Sequence, residues 1–178
     1  MKETTIYDYL DMIVMQPVNS IGRASNMLWL GLGAKIQWYS KLEGKEVEKS
    51  TYALHIQSAW RMENRERKEI IVASSDMYSP KTGVEYDDTF DWEIQGNNLF
   101  DEKSQMWLKE NQPIFVKEYK INLWGDLLLL FSNGDKLHVF VGASDNTECW
   151  RVFAMTEQSP HLLVTGLGYS VNEDNDSA

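Results

Sequence analysis

Three histidines, at positions 55, 138 and 161, are the residues of this chain with the most versatile chemistry. A neutral imidazole can act as a general base near neutral pH or bind a transition metal. Three converging histidines suit a zinc or iron site, but no two of them have the short sequence spacing that such sites often show. Each lies in or beside a predicted strand, so a hydrogen-bonded polar residue on a sheet is the favoured interpretation. No metal site is predicted.

Polar and apolar residues alternate along residues 52–62 (YALHIQSAWRM). Strand side chains alternate between two faces, so Leu54 and Ile56 fall on one face and the polar residues on the other. His138 is out of phase with its apolar neighbours in the same way. A curved sheet lined by such groups suits a small ligand, and a solvated strand face is the alternative. The candidate ligand-binding residues are His55, Gln57, Arg61 and His138.

Residues 85–93 (EYDDTFDWE) contain five carboxylates and three aromatic side chains. Such a segment can hold a hard cation, but its spacing does not match the calcium-binding loop of EF-hands. It also suits a protein-binding surface, because acidic groups attract a basic partner and aromatic groups supply contact area. A solvated acidic loop whose aromatics pack on the sheet is the alternative. The predicted partner-binding residues are Glu85, Tyr86, Asp87, Asp88, Phe90, Asp91 and Trp92.

Residues 61–68 (RMENRERK) form a basic segment that can pair with this acidic one, either within the molecule or across a dimer. Exposed ion pairs of that kind contribute about 0–1 kcal/mol each. The pairing therefore bears on docking more than on stability.

Catalytic motifs are missing from the sequence, which has no Gly-x-Ser-x-Gly, no phosphate-binding glycine loop and no dinucleotide fingerprint. Cys149 lies near Arg151, whose charge can favour a thiolate. A lone cysteine nevertheless serves more often as a small buried hydrophobic residue. The sequence therefore favours a non-enzymatic protein over an enzyme, and no cofactor is predicted.

The formal net charge of −10 at pH 7 disfavours nucleic acids and anionic membranes as partners, because phosphate binding needs clustered Lys and Arg. The N-terminus lacks a basic segment followed by an apolar core, so no signal peptide is predicted. The longest apolar run, residues 127–131, is too short to span a membrane. A single cysteine fits a reducing compartment, and a cytoplasmic location is expected.

The predicted fold is α+β, with a curved, largely antiparallel sheet of about eight short strands, an N-terminal helix and one further short helix. Thr5 is the expected cap of the first helix, and Pro17 follows its end. Residues 100–110 predict the second helix, with apolar contacts from Phe100, Met106 and Trp107.

Asn133-Gly134 predicts a tight hairpin turn between strands at 127–131 and 137–141, because both residues tolerate positive φ. We expect a single domain over residues 1–171. The polar residues 172–178 are expected to form a disordered acidic tail.

Short motifs in this chain resemble a family of small, uncharacterised bacterial proteins. The shared pattern is a strand, a glycine-containing turn and a second strand, followed by Glu-x-Trp-Arg and Pro-His elements. Glu148, Trp150, Arg151, Pro160 and His161 match it, and residues 52–61 resemble the family's N-terminal half. The resemblance implies a common fold and a bacterial origin. It implies no activity, because that family has no established function.

The favoured function is a non-enzymatic protein-binding domain, in its most concrete form an immunity- or antitoxin-like inhibitor that binds a basic protein through residues 85–93. One alternative is a small-ligand- or metal-binding protein, or an enzyme, that uses the His55, Gln57 and Arg61 face. The other is a homo-oligomeric structural protein. Seven tryptophans, which suit cores and interfaces alike, are compatible with a homodimer.

Overall fold

The computed structural model describes residues 5–40, 43–64, 66–156 and 159–172. Within these ranges the chain forms two α-helices, one 3-10 helix and eleven strands. In chain order these are α1 (Ile6–Ile13), β1 (Val18–Ala24), β2 (Met27–Ser40), β3 (Lys45–Ile56), β4 (Trp60–Asn64), β5 (Glu69–Ala73), the 3-10 helix (Ser74–Tyr78), α2 (Leu99–Asn111), β6 (Val116–Ile121), β7 (Leu127–Phe131), β8 (Lys136–Val139), β9 (Glu148–Ala154), β10 (His161–Thr165) and β11 (Gly168–Asn172).

The strands form two antiparallel sheets, one of six strands in the order β1-β2-β3-β9-β10-β11 and one of five in the order β5-β4-β8-β7-β6. The α+β class with a largely antiparallel sheet is thereby confirmed. The described strands number eleven rather than about eight, and they form two sheets rather than one. Part of the excess is β1 and β11, which sequence patterns did not indicate. β3 also begins at Lys45, inside a charged stretch that resembles a connection.

The prediction of one strand over residues 52–62 is wrong, because the chain leaves one sheet and enters the other at residues 57–59. The backbone N–H groups of Gln57 and Ser58 both donate to the carbonyl oxygen of Cys149, at 2.8 and 3.1 Å. This shared acceptor ends the ladder of β3. Leu54 before the crossing and Met62 after it are both fully buried, so the apolar alternation continues into the same core.

The inner faces of both sheets and one side of each helix meet in a single hydrophobic core. The largest fully buried side chains come from all of these elements and include Leu10, Leu30, Ile56, Met62, Phe100, Phe131 and Trp150. Burying apolar area of this kind is the dominant favourable term in folding. The two sheets are therefore held together mainly through their inward-facing residues.

Both predicted helices are present. Thr5 precedes α1, and its backbone N–H donates to the Asp8 carboxylate at 2.7 Å. At the start of α2, the side chain of Asn98 accepts from the backbone N–H of Asp101 at 2.9 Å. Phe100 and Trp107 are buried as predicted. Met106 is 50% exposed, because the buried residues of α2 recur at three- and four-residue spacing from Phe100 and leave it on the outer side.

The hairpin prediction at Asn133-Gly134 is confirmed, since β7 and β8 pair antiparallel around this turn. Gly134 has a φ of 90°, a value that glycine adopts without strain. The backbone N–H of Phe131 donates to the carbonyl oxygen of Asp135 at 2.9 Å and closes the turn.

The side chain of Asp135 joins this turn to two other elements. Asp135 is fully buried, and its carboxylate accepts from Asn64 Nδ2 at 2.5 Å, Trp107 Nε1 at 2.8 Å and Asn133 Nδ2 at 2.6 Å. These donors belong to β4, α2 and the turn itself. A buried carboxylate is tolerated here because several donors satisfy it.

The single-domain prediction for residues 1–171 stays a prediction. Of the predicted tail, Asn172 is instead the last residue of β11 and pairs with His161, while residues 173–178 lie outside the described residues. In the described part of the chain, neither helix is long and apolar enough to cross a membrane.

We predict that Asp135→Ala lowers the free energy of unfolding by about 2 kcal/mol or more, because it leaves the buried indole N–H of Trp107 and the half-buried amide of Asn64 without this acceptor, and a buried unsatisfied donor costs about 1–3 kcal/mol. Urea denaturation measures the change. Glu110→Ala, at an exposed position, is the matched control and leaves the midpoint unchanged. Equal midpoints for both variants contradict the assignment of Asp135 as a structural anchor.

Candidate functional site

The predicted partner-binding residues lie in a long loop between the 3-10 helix and α2, and we call residues 79–98 the acidic loop. Its two ends meet, because Pro80 and Asn98 form an isolated β-bridge. In addition, the backbone N–H of Leu99 donates to the carbonyl oxygen of Ser79 at 2.8 Å. The loop is thus a surface excursion closed at its base, a geometry that Ω-loops share.

Hydrogen bonds within the acidic loop fix its backbone. Asp87 Oδ1 accepts from both the backbone N–H and the hydroxyl of Thr89, at 2.7 and 2.6 Å. Asp91 Oδ1 accepts from the backbone N–H of Glu93 at 2.9 Å. The Thr89 hydroxyl, together with the Thr89 N–H, lowers the pKa of the Asp87 carboxyl, so this group is fully ionised at neutral pH.

Arg23, in β1, anchors the acidic loop from inside the protein. Its side chain is fully buried, and its Nε and Nη2 atoms donate to the two carboxylate oxygens of Asp101 at 2.9 and 3.0 Å. Nη2 also donates to the carbonyl oxygens of Glu93 and Ile94, at 3.4 and 3.1 Å. Asp101 in turn accepts from the backbone N–H of Gly96 at 2.7 Å. One buried ion pair therefore binds the C-terminal part of the loop to β1 and α2.

The three predicted aromatic residues of the loop differ in exposure. Tyr86 is 72% exposed. Phe90 is partly buried, with its ring 5.5 Å from that of Tyr86, and Trp92 is partly buried against Tyr78, with ring centroids 4.9 Å apart. Phe90 and Trp92 thus support the loop, and Tyr86 is the aromatic side chain it presents to solvent.

The five carboxylates between positions 85 and 93 are all exposed, and no Lys, Arg or His side chain of the described residues forms an ion pair with them. The expected basic counterpart pairs elsewhere, since Arg61 contacts Glu63 at 3.5 Å and Arg67 contacts Glu69 at 2.9 Å. Arg65 lies outside the described residues. The intramolecular pairing that the sequence suggested is therefore not formed by Arg61 or Arg67.

The four predicted ligand-binding residues divide between the two sheets. His55 is on β3, and Gln57 follows at the end of that strand in the six-stranded sheet. Arg61 and His138 are directly opposite each other on β4 and β8, in the five-stranded sheet. The break at residues 57–59 causes this separation, which an uninterrupted strand would not have produced.

His55 instead belongs to a polar cluster with residues that lie far away in the sequence. It pairs in register with Arg151 of β9, and its ring meets that of Phe153 edge-on, with centroids 5.0 Å apart. The ring of His161, from β10, stacks on the ring of Phe153, with centroids 3.9 Å apart. Arg151 Nη1 is 3.5 Å from His161 Nδ1.

A carboxylate completes the cluster. Glu148 Oε1 accepts from Arg151 Nε at 2.8 Å and from Gln57 Nε2 at 3.0 Å. Glu148, Arg151 and His161 are named above through the resemblance, but no sequence reasoning placed them beside His55. The sequence pattern of β9 indicates that Arg151 points outward from the sheet. Which residue lies beside Arg151 depends on the order of the strands, which the pattern does not give.

The imidazole of His55 is neutral at neutral pH. Burial, followed by the positive charge of Arg151 and the nearby His161 and Lys49, lowers its pKa to about 4. A neutral ring has one nitrogen that donates and one that accepts, so it can bind ligand atoms of either kind.

Arg61 and His138 form a smaller group on the outer face of the five-stranded sheet. His138 Nε2 lies 3.0 Å from Glu63 Oε1, and the Arg61 guanidinium lies 5.6 Å from the centre of the Phe140 ring. Both side chains therefore contact residues in or beside their own sheet, and neither contacts His55.

No group of three or more His, Cys, Asp or Glu side chains within the described ranges is placed to hold a metal ion. Cys149 is buried, and its Sγ lies 3.8 Å from the carbonyl oxygen of Thr147. This position matches the expectation of a small buried hydrophobic residue.

Comparison with known proteins yields no match among family models, curated proteins or solved structures. The resemblance to small bacterial proteins therefore stays a prediction.

We predict that Arg23→Met destabilises the protein by about 3–5 kcal/mol, because it leaves the Asp101 carboxylate buried without its partner. The control is Lys35→Met, which breaks the exposed Lys35–Glu48 pair and costs about 0–1 kcal/mol. Urea denaturation separates the two. Similar losses for both variants contradict the anchoring role of Arg23.

We predict that stability falls as the pH drops from about 6.5 towards 4, in part because of His55. Its folded pKa is about 4, below the ordinary value of 6.5, so the unfolded chain takes up this proton first. The stabilisation from neutral His55 is complete above pH 6.5 and is lost as the pH falls. Urea denaturation at pH 7.5 and 5 measures this change, which is smaller in His55→Gln. A His55→Gln variant with the same pH dependence as the wild type argues against the buried neutral imidazole.

Proposed function

We propose that this protein binds a basic protein through the acidic loop and acts as a non-enzymatic inhibitor or adaptor. The observation that carries the proposal is the combination of unpaired carboxylates and exposed apolar side chains on a loop that is anchored from inside the protein. Each part of this combination has a separate physical role in binding.

The exposed apolar side chains supply contact area. Val84, Tyr86 and Ile94 are 57%, 72% and 57% exposed, and Tyr78 beside the loop is 48% exposed. Single exposed apolar residues are common, but four of them between residues 78 and 94 favour an interaction site. Tyrosine is also enriched among the residues that dominate binding energy.

The carboxylates select the sign of the partner. Five acids that form no ion pair with a described residue contribute to the formal net charge of −10. Such a field attracts a basic protein and accelerates its association, mainly at low salt. It also repels acidic competitors and nucleic acids.

The anchored backbone reduces the entropy lost on binding. Arg23, the Asp87–Thr89 bonds and the bridge between Pro80 and Asn98 restrain the loop before a partner arrives. A preorganised loop loses less conformational freedom on association, so more of the contact energy contributes to affinity. In its most concrete form the proposal is an inhibitor that covers the substrate-binding surface of a basic toxin.

We predict that neutralising Asp87, Asp88 and Asp91 abolishes capture of the partner. Asparagine at these positions keeps the side-chain oxygens that accept from Thr89 and Glu93, so the loop conformation is preserved. A control carrying Glu46→Gln, Glu66→Gln and Glu110→Gln removes the same number of exposed charges elsewhere. Wild type, loop variant and control serve as baits for lysate, and the retained protein is purified and its affinity measured by calorimetry.

The expected result is one basic protein that binds stoichiometrically to the wild type and the control and at least tenfold more weakly to the loop variant. Tyr86→Ala weakens the same complex without changing the charge. A partner that binds all three baits equally, or one that is acidic, contradicts the proposal.

A further inference from the structure

The six-stranded sheet carries a second candidate site on its outer face, centred on a cross-strand row of residues. Trp29, His55 and Arg151 lie directly opposite one another on β2, β3 and β9. Leu163 of β10 continues the row beyond Arg151. The row is antiparallel throughout, so the side chains of these residues project from the same face.

Aromatic contacts fix the two histidines of this face. Phe153 is 8% exposed, with the ring of His161 parallel to it at 20° and that of His55 almost perpendicular at 89°. His161 is itself 8% exposed. Rings packed in this way cannot reorient freely, so their nitrogen atoms occupy defined positions beside Arg151.

Among the described residues of the cluster, positive charge predominates. Arg151 and Lys49 are the cationic side chains that act on His55, and Glu148 is the carboxylate that contacts the cluster within the described ranges. Glu148 uses one oxygen for both Arg151 Nε and Gln57 Nε2. The Nη2 atom of Arg151 has no hydrogen bond to any described residue, and the side chain is 28% exposed. The guanidinium of Arg151 therefore retains hydrogen-bond donors for a ligand, and its side chain is partly accessible to solvent.

We propose that Arg151 and His55, with the His161 ring packed beside them, form a binding site for a small oxyanion, a phosphate or carboxylate group. Arginine binds such groups through two parallel hydrogen bonds, and an imidazole N–H can add a further donor. A bound metal cation is disfavoured at the same place, because Arg151 and Lys49 repel it. The site is separate from the acidic loop, so it neither requires nor excludes the docking function.

Bound oxyanion and the proton on His55 are thermodynamically linked. The groups that act on His55 are Arg151 and His161 from the neighbouring strands and Lys49 from β3, and all of them disfavour its protonated form. An anion placed between these groups favours that form, so it raises the pKa of His55. By the same linkage, affinity for the anion increases as the pH falls from 8 to 5.

The test is a titration of the full chain with sodium sulfate and, separately, with sodium formate, followed by the NMR signals of the histidine rings. Neither anion changes charge between pH 5 and 8, and sodium chloride keeps the ionic strength at about 0.15 M. Sulfate represents phosphate groups and formate represents carboxylates, so the preferred anion distinguishes the two sources. The expected result is a saturable shift of His55 and His161, stronger at pH 5 than at pH 8, with the His138 signal unchanged.

Three variants complete the experiment. Arg151→Gln weakens binding at least tenfold, and Arg61→Gln, which removes an arginine from the other sheet, leaves it unchanged. Lys49→Gln, at an exposed position, weakens binding by a smaller factor. It tests the role of positive charge at the site even if Arg151→Gln does not fold. The proposal is overturned if chloride alone reproduces the shifts, if neither anion saturates, or if both Arg151→Gln and Lys49→Gln bind as tightly as the wild type.

Discussion

The buried ion pair between Arg23 and Asp101 is the interaction on which the arrangement of the acidic loop depends. The carboxylate of Asp101 compensates the charge of the Arg23 guanidinium. The guanidinium also donates hydrogen bonds to carbonyl oxygens of the loop. A buried pair of this kind adds little net stability compared with apolar residues, since removing both charges from water is costly. The pair instead fixes the relative positions of β1, α2 and the loop, because the guanidinium, the carboxylate and the loop carbonyl groups are all hydrogen-bonded only in this arrangement.

Charge is distributed unevenly over this fold. Several basic side chains near the surface form ion pairs with acidic neighbours, as Arg61 with Glu63 and Arg67 with Glu69 do. The carboxylates of residues 85–93 have no such neighbours in the described part of the chain, and the described side chains around Arg151 carry more positive than negative charge. These two surfaces have opposite sign. We therefore propose different ligands for them, a basic protein and a small oxyanion.

Local signals in the sequence predicted the local structure well. The turn at Asn133-Gly134, the start of α1 after Thr5 and the second helix follow from turn and capping chemistry that acts over a few residues. Met106 was misplaced on the second helix because several phases of a short amphipathic pattern are similar. The acidic loop itself is visible in the sequence, but its anchor is not, since Arg23 and Asp101 are 78 residues apart.

The membership of the polar cluster could not be predicted from the sequence. A period of two places His55 on an outward face, but it cannot show that the strand ends at residue 57 or that β9 lies beside β3. Strand order depends on the packing of the whole chain, and the break at residues 57–59 moves Arg61 to the five-stranded sheet, where it pairs with His138. Arg61 and His138 were grouped with His55 for this reason, and Arg151 and His161 were not.

Backbone ¹⁵N relaxation of the free protein measures directly whether the acidic loop is rigid before a partner binds. If the Arg23–Asp101 pair and the internal hydrogen bonds hold the loop ready for a partner, the amides of residues 87–97 have order parameters near those of rigid backbone, about 0.85. Order parameters below about 0.6 over these residues show a flexible loop. That result contradicts a preorganised docking surface.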